Sequence, residues 1–206
     1  MTKPSNVSNQ RLIVLSGPSG CGKATLLKYV TEQINITRVV TYTTRSPRPG
    51  EVNGEDYHFV SRREFDKLYE KGDLIEREQV YGDFFYGSPR DIFYGTDTDV
   101  IMELDTEGAR NYRKIYRNMI TIFIIPPSIE ELNHRIQKRY PKEPNLQERL
   151  KAARPQLECA NEYDYIVIND EIERVGQEVL GIIKSDGTDP EHPRKTALVA
   201  ELLKSL

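Results

Sequence analysis

An apolar run, RLIVLSG at residues 11–17, passes into a glycine-rich turn and then into a helical pattern carried by Leu26, Leu27, Val30 and Ile34. A run of this kind reads as a strand buried on both faces, and a strand, tight turn and amphipathic helix in that order form the opening unit of a parallel α/β sheet. Within the turn, SGPSGCGKAT, the spacing Gly17, four residues, Gly22, Lys23 fits G-x-x-x-x-G-K-[ST] up to its last position, where Ala24 replaces the hydroxyl. Such a loop aims backbone N–H groups at phosphates from the positive end of a helix, and its lysine ammonium bridges the transferring oxygens. Residues 17–25 (Gly17, Pro18, Ser19, Gly20, Cys21, Gly22, Lys23, Ala24 and Thr25) are therefore expected to hold a nucleotide triphosphate. The hydroxyl for Mg²⁺ is expected one residue late, from Thr25, or else the ion is held mostly by water and phosphate oxygens.

Three further runs repeat the strand signal. ITIFIIPP (120–127) precedes Ile129, Leu132 and Ile136 at helical spacing, and YDYIVIND (163–170) precedes Ile172, Val175, Val179 and Ile183. DVIMELD (99–105) leads into a helical stretch at 107–116. Strand and helix in alternation predict an α/β core with a parallel sheet and helices on both faces over 1–40 and 98–184. Residues 41–97 break the rhythm with Pro, Gly, Thr and Tyr and are expected to form an inserted, partly β subdomain that includes a helix at EFDKLYEKG and an extended piece at 74–81. RYPKEPNLQER (139–149) separates two helices and suggests a small lid at about 137–150. Beyond Lys184 a polar linker precedes RKTALVAELLKSL, an amphipathic helix whose Leu198, Leu202 and Leu206 are expected to bury against the core or a second subunit.

Charge narrows the partners. The net charge of -3 over 206 residues leaves no broad basic footprint for nucleic acid or an anionic membrane, and the apolar runs are too short to span a bilayer. Only Cys21 and Cys159 occur, no Cys/His spacing suits a metal, and the amino terminus lacks the layout of a signal peptide, so a reducing, cytoplasmic setting is expected. Basic residues must then act locally. TTRSPRPGE places Arg45 and Arg48 three apart beside prolines that stiffen the backbone, and Tyr57 follows a turn. Guanidinium forks pair bidentately with phosphate and phenols add neutral donors, so a small anionic acceptor is implied.

The motifs GPSGCGK, YTTRSPRPGEVNGEDYHFVS, EFDKLYEKGDLIE, YGSPR, ELDTEGAR, IFIIPPSIEEL and EYDYIVIND, in this order, resemble guanylate kinase over about residues 11–183. The resemblance implies a three-part fold of core, GMP-binding subdomain and lid, and transfer of the ATP γ-phosphate to GMP, with dGMP a weaker acceptor and Mg²⁺ as cofactor. It implies that Arg45, Arg48, Tyr57 and Tyr86 bind the GMP phosphate, that Glu76 accepts from the guanine N1 and 2-amino donors, and that Thr41 and Ser88 offer hydroxyls to O6 or N7. It places Asp105, with Glu103 nearby, among acidic residues near guanine and the metal, Lys23 as the loop lysine, Arg139 and Arg149 as catalytic lid arginines, and Asn169 beside adenine.

Several positions depart from the family pattern. GDFFYG is one residue longer than the usual G-N-Y-Y-G, which leaves Phe85 and Tyr86 both eligible for the phosphate-binding place. The chain between Ser88 and Glu103 is short, and Glu107 stands where Gln is common. A catalytically silent binding module and a kinase with another acceptor are the alternatives. Oligomeric state stays open between monomer and homodimer.

Overall fold

The computed structural model describes residues 10–48, 50–79, 83–139, 153–185 and 192–206. Its larger sheet is wholly parallel, built from β1 (Leu12–Ser16), β2 (Thr37–Arg38), β7 (Val100–Glu103), β8 (Met119–Ile125) and β9 (Tyr165–Ile168) in the order β2-β7-β1-β8-β9. The four strands expected from apolar runs are all present. β2, a two-residue edge strand, has no counterpart in the sequence reading.

Alternation along the strands sends side chains to two cores. Leu12, Val14, Val100, Met102, Phe123, Ile125 and Ile166 face one side of the sheet, and Ile13, Leu15, Ile101, Ile122, Ile124 and Val167 face the other. Helix α1 (Lys23–Gln33) and helix α6 (Ile172–Lys184) cover the second side through Leu26, Leu27, Val30, Val175 and Val179. Helix α3 (Thr106–Ile115), the short helix α5 (153–158) and helix α7 (His192–Lys204) cover the first. Apolar residues on both faces of every central strand require helices on both faces, and the chain supplies them.

A second sheet of four very short strands lies within 42–87, in the order β4-β3-β6-β5: β3 (Tyr42–Thr43), β4 (His58–Phe59), β5 (Glu78–Gln79) and β6 (Phe85–Gly87). It packs on helix α2 (Arg62–Lys71) through Phe65, Leu74 and Phe85. Ser61 and Glu64 close a capping box at the start of α2, and Gly72 ends it in the left-handed conformation.

The tail helix α7 docks on its own chain. Val199 and Leu202, 2% and 3% exposed, join a cluster with Leu157, Ala160 and Tyr163, while Leu198, Leu203 and Leu206 pack at its margin. Lys195 pairs with Glu178 of α6, and Arg154 of α5 donates to the Leu203 carbonyl at 2.9 Å. Of the residues expected to bury, Leu202 does so fully, with Val199 beside it. Leu202→Ala is expected to destabilise the protein by about 2–5 kcal/mol, a fall in Tm of roughly 5–15 °C by differential scanning fluorimetry. An unchanged Tm would mean that α7 contributes nothing to the core.

Candidate active site

In an open parallel sheet, ligands bind beyond the carboxyl ends of the strands, where the strand order reverses. β1 is that point, flanked by β7 and β8, and the glycine loop emerges from its end. A cleft of about 290 Å³ opens there, lined by Gly17, Ser19, Gly20, Gly22, Lys23 and Ala24 on the loop side. Its other wall brings Thr41, Arg48, Tyr57, Glu76, Tyr86, Ser88, Glu103 and Asp105 to the same space. Residues scattered over more than eighty positions in sequence thus share one cavity that bridges the two sheets.

Glycine is required in the loop on steric grounds. At Gly17 (φ 145°) a Cβ would lie 2.2 Å from the Ile124 carbonyl oxygen, and at Gly22 (φ 91°) it would lie 2.2 Å from Asn169 Nδ2. The Lys23 ammonium folds back onto the loop, donating to the carbonyls of Gly17 (2.6 Å) and Pro18 (3.0 Å). Cys21 is fully buried beside it, its thiol pushed up by burial and lowered only in part by Lys23. The side chain of Cys21 is filler, and its amide donates to Pro18.

The structure places two donor-side residues, Thr25 and Asn169. Thr25 is exposed on α1 and is not among the residues lining the cleft, whereas Ala24 is. Each helical residue turns the chain by about 100°, so a hydroxyl one position late sits on a different side of the helix from Ala24. Asn169 is buried and braces the loop: its amide donates to the Cys21 carbonyl at 2.7 Å, and its backbone N–H donates to Ile125. Arg139 is the last residue of helix α4 (Ile129–Arg139), whereas Arg149 and most of the expected lid lie outside the described residues.

On the acceptor side, Arg45 is 7% exposed and held by a partner that sequence reading passed over. Glu51 takes the guanidinium bidentately at 2.5 and 2.7 Å and accepts the Arg48 backbone N–H at 2.8 Å. Burial opposes the charged forms of both groups, and their mutual hydrogen bonds outweigh it, so Arg45 is raised and Glu51 lowered. The Arg45 guanidinium lies 5.0 Å from the Tyr57 ring centroid, and its Nε is buried without a partner. Burial pushes the Tyr57 phenol up to about 12, which keeps it a neutral donor. Arg38, Glu51, Asp56, Glu78 and Gln156 also line the cleft and were missed. Only Glu51 carried a signal, as the last residue of PRPGE between two arginines it organises.

The strand register separates Phe85 from Tyr86. β6 pairs Tyr86 with Glu78 and with Thr43, so Tyr86 faces the cleft while Phe85 turns into the α2 core. Phe84 is exposed beside the turn in the longer GDFFYG segment.

Glu76, 9% exposed, accepts the Ser88 hydroxyl at 2.6 Å through Oε1, and its Oε2 is buried without a hydrogen-bond partner. Burial raises its pKa, the Ser88 bond lowers it and Asp105 raises it further. A buried carboxylate with an empty oxygen is poised for a ligand carrying adjacent donors.

The guanylate kinase profile matches residues 9–186. The chain belongs to the guanylate kinase family. Among its relatives, guanylate kinase from Wolbachia sp. subsp. Brugia malayi (strain TRS) is 39% identical over 181 residues, covering 85% of this chain and 92% of the relative. That of Nitrosospira multiformis is 36% identical over 200 residues, covering 94% and 95%. The crystal structure of guanylate kinase from Anaplasma phagocytophilum superposes with a TM-score of 0.71 at 33% identity, covering 89% of each chain. The cleft between the two sheets is lined by the glycine loop on one wall and by Glu76 on the other. Among the described residues no helix is long and apolar enough to cross a membrane.

Proposed function

We infer that this guanylate kinase transfers the γ-phosphate of ATP to GMP, giving ADP and GDP, and that dGMP is a weaker acceptor. The observation that carries the acceptor assignment is the unpartnered Oε2 of Glu76, beside a bonded Oε1, in the lining of the cleft. Guanine presents N1–H and a 2-amino group side by side. Adenine presents an acceptor at N1 and no 2-amino group, which would leave that oxygen unpaired. Thr41 and Ser88 supply hydroxyls near the base edge, and Arg48, Tyr57 and Tyr86, with Arg45 behind them, form the phosphate end. Residues 41–97 act as the acceptor subdomain and 137–150 as the lid.

A GMP phosphate oxygen attacks the γ-phosphorus in line. No general base is required, because a phosphate monoester with a second pKa of about 6 is largely dianionic at neutral pH. Catalysis is positioning and charge neutralisation by Lys23, Arg45, Arg139 and Arg149. Lys23 exchanges its two loop carbonyls for phosphate oxygens when ATP enters.

Mg²⁺ would accompany ATP and screen its phosphates. The loop fits this ion poorly as a direct ligand set: Ala24 has no donor, Thr25 points out, and no group of three or more acidic, His or Cys side chains suited to a metal exists among the described residues. The ion would then be held by phosphate oxygens and water. Restoring the hydroxyl with Ala24→Ser is expected to lower the Mg²⁺ concentration for half-maximal rate by about threefold to tenfold, a change of ~1 kcal/mol. An unchanged requirement would show that the position does not approach the ion.

Calorimetric titration tests the acceptor reading. GMP is expected to bind the free protein with AMP giving no heat at the same concentrations. Equal binding of the two would overturn the Glu76 assignment.

A further inference from the structure

Asn169 follows directly on β9 and is held there by its backbone N–H, which donates to the Ile125 carbonyl at the end of β8 at 2.9 Å. Its side chain reaches across 148 positions of sequence to the glycine loop, where Nδ2 donates to the Cys21 carbonyl at 2.7 Å. The partner is a carbonyl, so the donor end of the amide must face it. Asn169 is 6% exposed, and among the described residues the lining of the cleft includes Gly22 but not Asn169. In a trans peptide the C=O and the following N–H point to opposite sides of the chain. The peptide joining Cys21 to Gly22 is trans, so a Cys21 carbonyl fixed on Asn169 aims the Gly22 N–H the other way, toward the cleft that Gly22 lines. We propose that Asn169 is a positioning residue for the phosphate loop: by holding the Cys21 carbonyl it presents the Gly22 N–H to the donor phosphates, whatever base the donor carries.

The fit between the two is close. Gly22 is left-handed (φ 91°, ψ 20°) immediately before α1, and a Cβ there would lie 2.2 Å from Nδ2, so the loop rests directly on the asparagine amide. Cys21 is fully buried and its own N–H is engaged by the Pro18 carbonyl. A buried carbonyl deprived of its donor turns to find another, and the Gly22 N–H turns with it, because the two groups share one rigid peptide plane. That N–H stands at the start of α1, where the helix already favours an anion. Loss of the amide therefore acts on any ligand whose phosphates use the loop, and leaves the acceptor wall alone.

The proposal rests on residues 17–25 as the ATP phosphate loop, and inorganic tripolyphosphate, which has the phosphates and no base, separates the two. Asn169→Ala is expected to weaken calorimetric binding of ATP and of tripolyphosphate by the same factor, about tenfold, with GMP binding changed by less than about twofold. In the wild-type protein, tripolyphosphate is expected to shift the NMR signals of the Asn169 side-chain amide and the Gly22 backbone amide as ATP does, a measurement that requires no variant to fold. A loss confined to ATP, no loss for either ligand, an equal loss for GMP, or an Asn169 signal that ATP shifts and tripolyphosphate does not would overturn the proposal. Wild-type protein that binds neither ATP nor tripolyphosphate would overturn the loop reading itself, and the proposal with it.

Discussion

Lys23→Ala reduces kcat for phosphoryl transfer by at least about 10²- to 10³-fold, the cost of removing one preorganised charge from a developing transition state. The reason lies in what this ammonium touches. In the free protein it bonds to loop groups, the Gly17 and Pro18 carbonyls with the Cys21 sulfur at 4.0 Å, and of these only the Cys21 side chain belongs to a core cluster. Its removal takes no apolar side chain from either core, so Tm is expected to stay within about 4 °C, corresponding to ~1 kcal/mol. Steady-state rates and a melting curve on the same preparation check both halves. Near-normal turnover would refute the loop assignment, and a collapsed Tm would move the residue from catalysis to structure.

Glu76→Gln lowers kcat/KM for GMP by about 10²-fold or more. Hydrogen bonds to a charged group contribute roughly 1.5–3 kcal/mol each, and the amide both loses the charge and can turn a donor against a guanine donor. Because Ser88 already bonds Oε1, the substitution acts on the buried Oε2, which has no other partner to compensate. The loss is expected mainly in KM, since guanine contacts are made alike in the ground and transition states. AMP should gain relative to GMP without reaching it. An unchanged ratio of the two acceptors would place base recognition elsewhere in the cleft.

The parts legible in sequence were those with a period or a dense motif. Strands β1, β7, β8 and β9 are apolar runs because both faces are covered, and the glycine loop is legible because steric demand at Gly17 and Gly22 excludes other residues. β2, β3, β4 and β6 escape as individual strands because two- or three-residue strands carry no period and backbone pairing defines them, whereas β5 falls within the extended piece expected at 74–81. Glu78 and Arg38 were invisible as single charges, since only the meeting of two sheets gives them a cleft to face. Thr25 misled because adjacency in sequence is a 100° rotation on a helix. Asn169 was found by resemblance, yet its bond to the Cys21 carbonyl is a long-range contact that no local pattern announces.

The central claim is that one cleft joins an ATP loop to a guanine-reading acceptor wall, and a coupled assay of ADP release tests it most directly. With ATP and Mg²⁺ supplied, and GMP, dGMP, AMP, UMP and CMP compared as acceptors, the account predicts rapid release with GMP, slower release with dGMP and background with the other three. AMP or a pyrimidine nucleotide matching GMP, or background with all five, would contradict it.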